Sequence, residues 1–170
     1  MNTVIHEIEP VWNSESRILI LGTMPSPASR MAGFFYMHPQ NRFWKVVPEV
    51  FGEKLRHSNT EEGAVQERID FLLRNHIALW DVLSSCKING ASDSSIKNAV
   101  PNDFTEILTV SKIKRIFCTG KTAFNLWKKM CAEKYEAKFK LQTECLPSTS
   151  PANAAWSITH LVEAYGIIRE

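Results

Sequence analysis

The sequence has no apolar run that approaches the roughly 20 residues needed to cross a bilayer. Its N-terminus, MNTVIHEIEP, lacks both the basic start and the apolar stretch of an export signal. Hydrophobic residues make up 44% of the 170 residues and charged residues 22%, a composition typical of a chain that folds around a core. We therefore expect a single domain over residues 1–170, located in the cytoplasm and without a membrane partner.

The usual metal and nucleotide signatures are also missing. The four cysteines, at positions 86, 118, 131 and 145, form no C-x-x-C pair, and His38 and His76 are isolated, so we expect no bound metal. No P-loop, dinucleotide glycine fingerprint, nucleophile elbow or HExxH motif is present. GKT at residues 120–122 lacks the upstream glycine of a P-loop, and predicts a turn whose Thr122 caps the next helix.

Charge is nearly balanced, at +2 overall, but it is unevenly distributed. Residues 112–140 hold nine lysines and arginines against two glutamates. A basic flank of this kind suits contact with a phosphate backbone. Amphipathic helices with solvated lysines give the same pattern, so both interpretations stay open.

Short apolar runs alternate with helical patterns along the chain. The runs are RILILG (17–22), IALWD (77–81), IKRIFCT (113–119) and LQTECL (141–146), and they are typical of buried strands. Apolar residues with helical spacing lie between and after these runs, around positions 65–73, 104–108, 123–130 and 155–165. The alternation predicts an α/β fold, a three-layer α/β/α sandwich with a parallel sheet.

Two long connections interrupt this pattern, at residues 23–41 and 84–95. Both follow predicted strands, as do TGKTA (119–123) and PSTSPAN (147–153). Because ligands bind beyond the carboxyl ends of strands in open α/β sheets, we expect these four segments to border a single cleft. Ser150 before Pro151 further predicts a helix N-terminus facing that cleft, with free backbone amides.

Three motifs carry a resemblance to a known family. They are GTMPS (22–26), FYxHPxNxFWK (35–45) and LPSTSPANA (146–154). In this order and spacing the sequence resembles the uracil-DNA glycosylase superfamily, and within it the hypoxanthine-DNA glycosylase branch. SDSxI (92–96) and TGKxA (119–123) are similar to the family as well, so the resemblance extends over most of the chain.

The resemblance implies a central four-stranded parallel sheet and hydrolysis of the bond between a damaged base and deoxyribose, without a cofactor. The implied partner is damaged DNA, in a duplex from which the target nucleotide is flipped into a pocket, and the implied protein is a monomer. Thr23, Met24, Tyr36 and Ser148 are the implied base-binding residues. Tyr36 matches a ring that stacks on the base, while backbone amides near Thr23 and Ser148 suit the negative charge that develops on it.

Asn41 is the implied catalytic residue. Mismatch-specific relatives carry a water-positioning Asn where this sequence has Met24, and a methionine cannot orient water. The hypoxanthine branch shares this loss, and its activity depends on the Asn that matches Asn41. An amide can accept from an attacking water and can donate to the base. A structural role for Asn41 in pinning the long loop is the alternative.

Lys121, Ser150 and Asn153 are the expected DNA contacts. Lys121 follows the third predicted strand at the cleft end and belongs to the basic flank. Ser150 and Pro151 stand where mismatch-specific relatives place a bulky wedge that fills the hole left by the flipped base. Both are small, so the sequence does not indicate what holds the duplex open.

The leading hypothesis is a monofunctional DNA glycosylase that excises hypoxanthine in base excision repair. A sister enzyme for uracil, or for another deaminated or alkylated base, is the first alternative, because hypoxanthine and uracil both offer carbonyl and N–H edges. A catalytically silent nucleic-acid-binding protein on the same fold is the second. A small-molecule-binding α/β domain is the third, and it would leave the combined motifs as coincidence.

Overall fold

The computed structural model describes all residues, 1–170. The elements follow the chain in this order: β1 (Asn2–Ile5), β2 (Ile18–Gly22), α1 (Pro27–Ala32), α2 (Phe43–Val50), α3 (Ala64–Arg74), β3 (Ile77–Asp81), β4 (Leu83–Asn89), β5 (Ser92–Pro101), α4 (Thr105–Val110), β6 (Arg115–Thr119), α5 (Lys121–Met130), α6 (Ala132–Phe139), β7 (Gln142–Leu146) and α7 (Ile158–Tyr165). A 3-10 turn, Gly166–Arg169, ends the chain.

The central sheet has four strands in the order β3-β2-β6-β7, and every neighbouring pair is parallel. These are the four apolar runs of the sequence, and all five residues of β2 are buried. A strand with both faces covered is apolar throughout, which explains the runs at β2 and β3. The expectation of a buried strand at 141–146 is wrong for β7, because it lies at the edge of the sheet and only Leu146 is buried. The predicted four-stranded parallel sheet is confirmed.

Helices cover both faces of this sheet and complete the three layers. Alternate residues of β2 belong to different cores: Ile18 and Ile20 pack with the buried residues of α2, α3 and α7, whereas Leu19 and Leu21 pack with those of α4, α5 and α6. Each such buried side chain contributes about 1.5–3 kcal/mol to stability. No helix has the length and apolarity that crossing a membrane requires.

A second, antiparallel sheet of order β1-β4-β5 was not predicted. The polar segment 84–95, expected to be a loop, forms most of β4 and the start of β5, joined by a tight turn at Gly90. Three of the seven residues of β4 are buried, namely Leu83, Cys86 and Ile88, and β5 has no buried residue. The sequence of this hairpin therefore has few apolar residues by which a strand could be predicted. The hairpin brings Asp93 to a cleft at the carboxyl ends of the parallel strands.

Two predicted helix starts are wrong. Residues 150–157 form turns, and α7 begins at Ile158 with Ser157 as its N-cap, so no helix N-terminus at Ser150 faces the cleft. Thr122 is the second residue of α5 and does not cap it, because the N-cap position belongs to Gly120, with φ 96°. That left-handed backbone region favours glycine.

Candidate active site

A cleft of about 1110 Å³ opens at the carboxyl ends of the parallel strands. The last residue of each central strand lines it: Gly22, Asp81, Thr119 and Leu146. All eight residues predicted from the sequence also line it, and these are Thr23, Met24, Tyr36, Asn41, Lys121, Ser148, Ser150 and Asn153. The expected single cleft is therefore present, while the role of each residue stays a prediction.

Tyr36 lies at the inner end of the cleft in a constrained backbone conformation, with φ 56°. Its ring stacks on Phe43, with centroids 4.0 Å apart and planes 4° apart, so only the opposite face is left for a base. Its hydroxyl donates to Thr119 Oγ1 at 2.8 Å, since Thr119 in turn donates to the carbonyl of Leu21. Burial, and then the negative charge of Asp81, raise the pKa of Tyr36 well above its usual value.

Asn41 is held with a defined orientation of its amide. Its Oδ1 accepts from the backbone N–H of Phe43 at 2.9 Å and from Thr149 Oγ1 at 2.9 Å. A carbonyl oxygen has two lone pairs, and both are used here, whereas Nδ2 has no partner in the protein. In this arrangement Asn41 can donate a hydrogen bond into the cleft, but it does not accept one from an attacking water.

Arg42 joins the loop that follows β7 to the start of α2. Its Nη2 donates to the carbonyl oxygens of Ser150 at 3.0 Å and Asn153 at 3.1 Å, and its Nη1 donates to that of Trp156. Its backbone N–H also donates to the carbonyl of Thr149 at 3.2 Å. The carbonyls of Ser150 and Asn153 also accept turn bonds from the N–H groups three residues later, at 2.9 and 3.2 Å. Because the guanidinium binds the same oxygens, the segment 150–156 forms successive turns and no α-helix. Sequence reasoning missed Arg42.

The remaining predicted base and DNA contacts bond mainly to one another. Ser148 Oγ accepts from the Ser150 N–H at 3.2 Å, and the Ser148 carbonyl accepts from Asn153 Nδ2 at 2.9 Å. Thr23 Oγ1 donates to Asp93 Oδ2 at 3.1 Å. Met24 is half-buried against the core on the α5 side of the sheet. Ser148 and Asn153 therefore shape the loop, and the oxygen of the Asn153 amide is the part of that side chain still available to a ligand.

Within the basic flank, Lys121 is the one side chain that lines the cleft. Three others form ion pairs: Lys112 with Glu15, Arg115 with Glu144 and Lys128 with Glu136. Lys121 is exposed, has no ion pair and is the first residue of α5. Most of the positive charge counted in the sequence is thus neutralised or remote from the cleft.

Two carboxylates of the cleft, Asp81 and Asp93, were not singled out from the sequence. Asp81 ends β3 and pairs with the buried His6, whose Nε2 is 2.7 Å from Asp81 Oδ2. The walls of the cleft partly desolvate the Asp93 carboxyl, although the residue as a whole is exposed, and this raises its pKa; the hydrogen bond from Thr23 opposes this rise and the charge of Asp81 adds to it. The position of Asp81 at a strand's carboxyl end was a usable signal, whereas nothing in the sequence linked His6 to it.

Trp156 is the large exposed apolar side chain of the cleft rim, with 36% of its surface accessible. It lies in the loop that Arg42 fastens, six residues after Ser150. No three His, Cys, Asp or Glu side chains are grouped so as to hold a metal ion.

Comparison with known proteins identifies the family. The model of the family described as the uracil DNA glycosylase superfamily matches residues 10–166. A Methanosarcina barkeri protein named hypoxanthine DNA glycosylase is 33% identical over 135 residues, 79% of this chain and 82% of that protein. A Methanosarcina acetivorans protein of the same name is 33% identical over 150 residues, 86% and 87% of the two chains.

The fold has a solved counterpart as well. The solution NMR structure of a proposed uracil DNA glycosylase from Methanosarcina acetivorans superimposes with a TM-score of 0.76, at 29% identity and over 96% of each chain. The present chain therefore belongs to the uracil DNA glycosylase superfamily, and it is a DNA glycosylase, a hydrolase of DNA repair. The superfamily and the fold predicted from the sequence are both confirmed.

The raised pKa of Asp93 predicts a pH-dependent effect of Asp93→Asn on stability. The folded-state pKa lies above the unfolded value of about 3.9, so the native state binds more protons than the unfolded state between these two pKa values. Asp93 therefore makes the free energy of unfolding fall as the pH rises from the unfolded to the folded pKa. The asparagine keeps an acceptor for Thr23 and removes the charge. Urea unfolding should therefore show a larger gain in stability for Asp93→Asn at pH 7.5 than at pH 4.5.

Asp70→Asn is the matched control, since Asp70 is exposed on α3 and bonds only to Gln66. It should show no comparable difference between the two pH values. A gain for Asp93→Asn that is equal at both values would contradict the raised pKa.

Proposed function

We propose that the protein excises hypoxanthine from duplex DNA by hydrolysing the N-glycosidic bond of a deoxyinosine that is flipped into the cleft. The observation that carries the proposal is the Asn41 amide, whose oxygen is fixed by two donors and whose Nδ2 is left to donate. Support for the substrate comes from the two relatives named hypoxanthine DNA glycosylase, each 33% identical to this chain.

The chemistry needs a donor more than it needs a base at this position. As the glycosidic bond breaks, the sugar gains positive charge and the leaving base gains negative charge. A hydrogen-bond donor that is already oriented lowers the barrier, because no reorganisation is required when the charge develops. Asn41 Nδ2 would supply that donor, and the free face of Tyr36 would support the base beside it.

The rim of the cleft suits duplex DNA. Lys121 provides an unpaired positive charge for a phosphate, and Trp156 provides an aromatic ring large enough to replace the flipped base in the stack. Ser150 and Pro151 are too small for that task, so Trp156 would take the place of the wedge found in mismatch-specific relatives.

Asn41→Asp separates donation by Asn41 from its structural role. The aspartate keeps oxygen acceptors for the Phe43 N–H and the Thr149 hydroxyl, but it cannot donate. We expect thermal stability close to that of the wild type and single-turnover excision lowered by about 10²-fold or more. Excision is measured on duplexes with hypoxanthine, uracil or xanthine opposite each normal base, with alkali cleavage of the abasic product.

Asn41→Ala is the companion variant, since it removes both functions. It should lose activity and also about 1 kcal/mol of stability for each of the two hydrogen bonds that Oδ1 accepts. Full excision by Asn41→Asp would remove donation from the mechanism and leave Asn41 with the structural role. Excision of uracil in preference to hypoxanthine by the wild type would replace the proposed substrate.

Lys121→Ala should weaken binding to lesion-containing and undamaged duplexes alike. Each neutralised phosphate contributes a slope of about −0.9 to log affinity against log salt. The variant should therefore show a slope that is less steep than that of the wild type by about one unit. Lys129→Ala is the matched control, because Lys129 is exposed on α5 and does not line the cleft. Equal slopes for both variants would place Lys121 on the solvated helix surface.

A further inference from the structure

The connection between α1 and α2, residues 33–42, carries both Tyr36 and Asn41, and we call it the Tyr36 loop. It contains turns but no helix or strand, and Tyr36 adopts the left-handed backbone region, with φ 56°. That conformation is unfavourable for a residue with a Cβ, so it persists only where the surroundings hold it. The direction of the Tyr36 ring therefore depends on the groups that bind the backbone of this loop.

Asn59 binds two carbonyl oxygens of the Tyr36 loop. Its Nδ2 donates to the carbonyl of His38 at 2.8 Å and to that of Tyr36 at 3.3 Å. The His38 carbonyl also accepts from the backbone N–H of Asn41 at 2.9 Å, which closes the turn that leads to Asn41. One amide group thus contacts the backbone of the stacking residue and the turn that carries the proposed donor.

Arg68 fixes the Asn59 amide from the interior of the protein. Arg68 belongs to α3 and is only 1% exposed. Its Nη2 donates to Asn59 Oδ1 at 2.7 Å and to the carbonyl of His57 at 3.2 Å, and its Nη1 donates to the carbonyl of Ala64 at 3.1 Å. A guanidinium has donors alone, so it binds the oxygen of the Asn59 amide and leaves Nδ2 to face the Tyr36 loop.

The same guanidinium lies over Trp44, with its central carbon 5.3 Å from the centroid of the ring. Trp44 Nε1 in turn donates to the carbonyl of Phe35 at 2.8 Å. Arg68 therefore contacts both side chains that bind carbonyl oxygens of the Tyr36 loop. Because an apolar side chain can often replace a buried charge without loss of stability, stability alone does not account for an arginine at this position.

We propose that Arg68 and Asn59 are positioning residues for the Tyr36 loop. Together they hold the two groups of this loop that face the cleft, the Tyr36 ring and the Asn41 amide, in one fixed relation to a flipped base. The proposal rests on the proposed function, which assigns those two groups to the base. Arg68 and Asn59 do not line the cleft, so they act through the backbone of the loop. Their action matters because a displacement of about 1 Å can slow a reaction by as much as about 10²-fold.

Asn59→Asp tests the positioning directly. The aspartate keeps an acceptor for Arg68 and loses the donor to the two carbonyl oxygens. We expect thermal unfolding close to that of the wild type, unchanged binding of an undamaged duplex, and a maximum single-turnover rate of hypoxanthine excision that is about tenfold lower. Asn13→Asp provides the comparison: it adds the same charge away from the cleft and keeps the acceptor for the Glu15 N–H, so its rate should equal that of the wild type.

Two variants of Arg68 test the guanidinium. Arg68→Met keeps an apolar stem in the same space and cannot hold the Asn59 amide, so its rate should also fall by about tenfold. Arg68→Lys keeps the charge and a donor, and it should recover part of that loss. A purely structural role would lower the fraction of active protein, which titration with a hypoxanthine duplex measures, and would leave the rate constant of the active fraction unchanged.

Coupling to the two positioned groups gives a second readout. In a Tyr36→Ala background, and separately in an Asn41→Asp background, Asn59→Asp should slow excision by a much smaller factor than in the wild type. Once one group is absent, the alignment of the pair no longer affects the rate. Equal factors in the three backgrounds would overturn the proposal.

The outcomes separate this proposal from the proposed function. Failure of the wild type to excise hypoxanthine, uracil or xanthine would remove the proposed function. Excision by the wild type, with unchanged rates in folded Asn59→Asp and Arg68→Met variants, would remove the positioning role alone. Should neither variant fold, NMR of the wild type still decides: the side-chain NH₂ of Asn59 should exchange slowly with solvent, and rapid exchange overturns the proposal.

Discussion

The hydrogen bonds around Asn41 and Arg42 are the interaction on which the cleft depends. They tie the start of α2 to the loop after β7 through Thr149, Ser150, Asn153 and Trp156. Bonds from a charged donor contribute about 1.5–3 kcal/mol each, which is enough to hold a loop that has no regular structure of its own. The same bonds orient the Asn41 amide, so the wall of the cleft and its donor are built together.

The central sheet and the position of the cleft could be predicted because both follow from simple rules. Buried parallel strands need continuous apolar runs, and IALWD at 77–81 coincides with β3. Loops that follow parallel strands meet at one edge of the sheet, so residues as distant in sequence as Thr23 and Asn153 were expected at the same place. The catalytic, base-binding and DNA-binding roles that the resemblance implies do not follow from these rules.

The rest could not be predicted because long-range contacts override local signals. Ser150 and Pro151 have the local pattern of a helix start, yet the carbonyls of Ser150, Asn153 and Trp156 accept hydrogen bonds from Arg42, more than a hundred positions earlier in the chain. The β4-β5 hairpin is polar because one face is exposed. His6 reaches Asp81 only through the pairing of β1 with β4, and no spacing in the sequence encodes that contact.

The central claim is that the cleft at the strand ends holds a flipped deaminated base. Its most direct test is a crystal structure of the protein with a duplex containing 2′-fluoroarabino-inosine, whose fluorine destabilises the cationic sugar and slows cleavage. The account predicts the base against the free face of Tyr36, with Asn41 Nδ2 within about 3 Å of an acceptor atom of the base. An inosine that stays stacked in the duplex, or that enters another cavity, would contradict it.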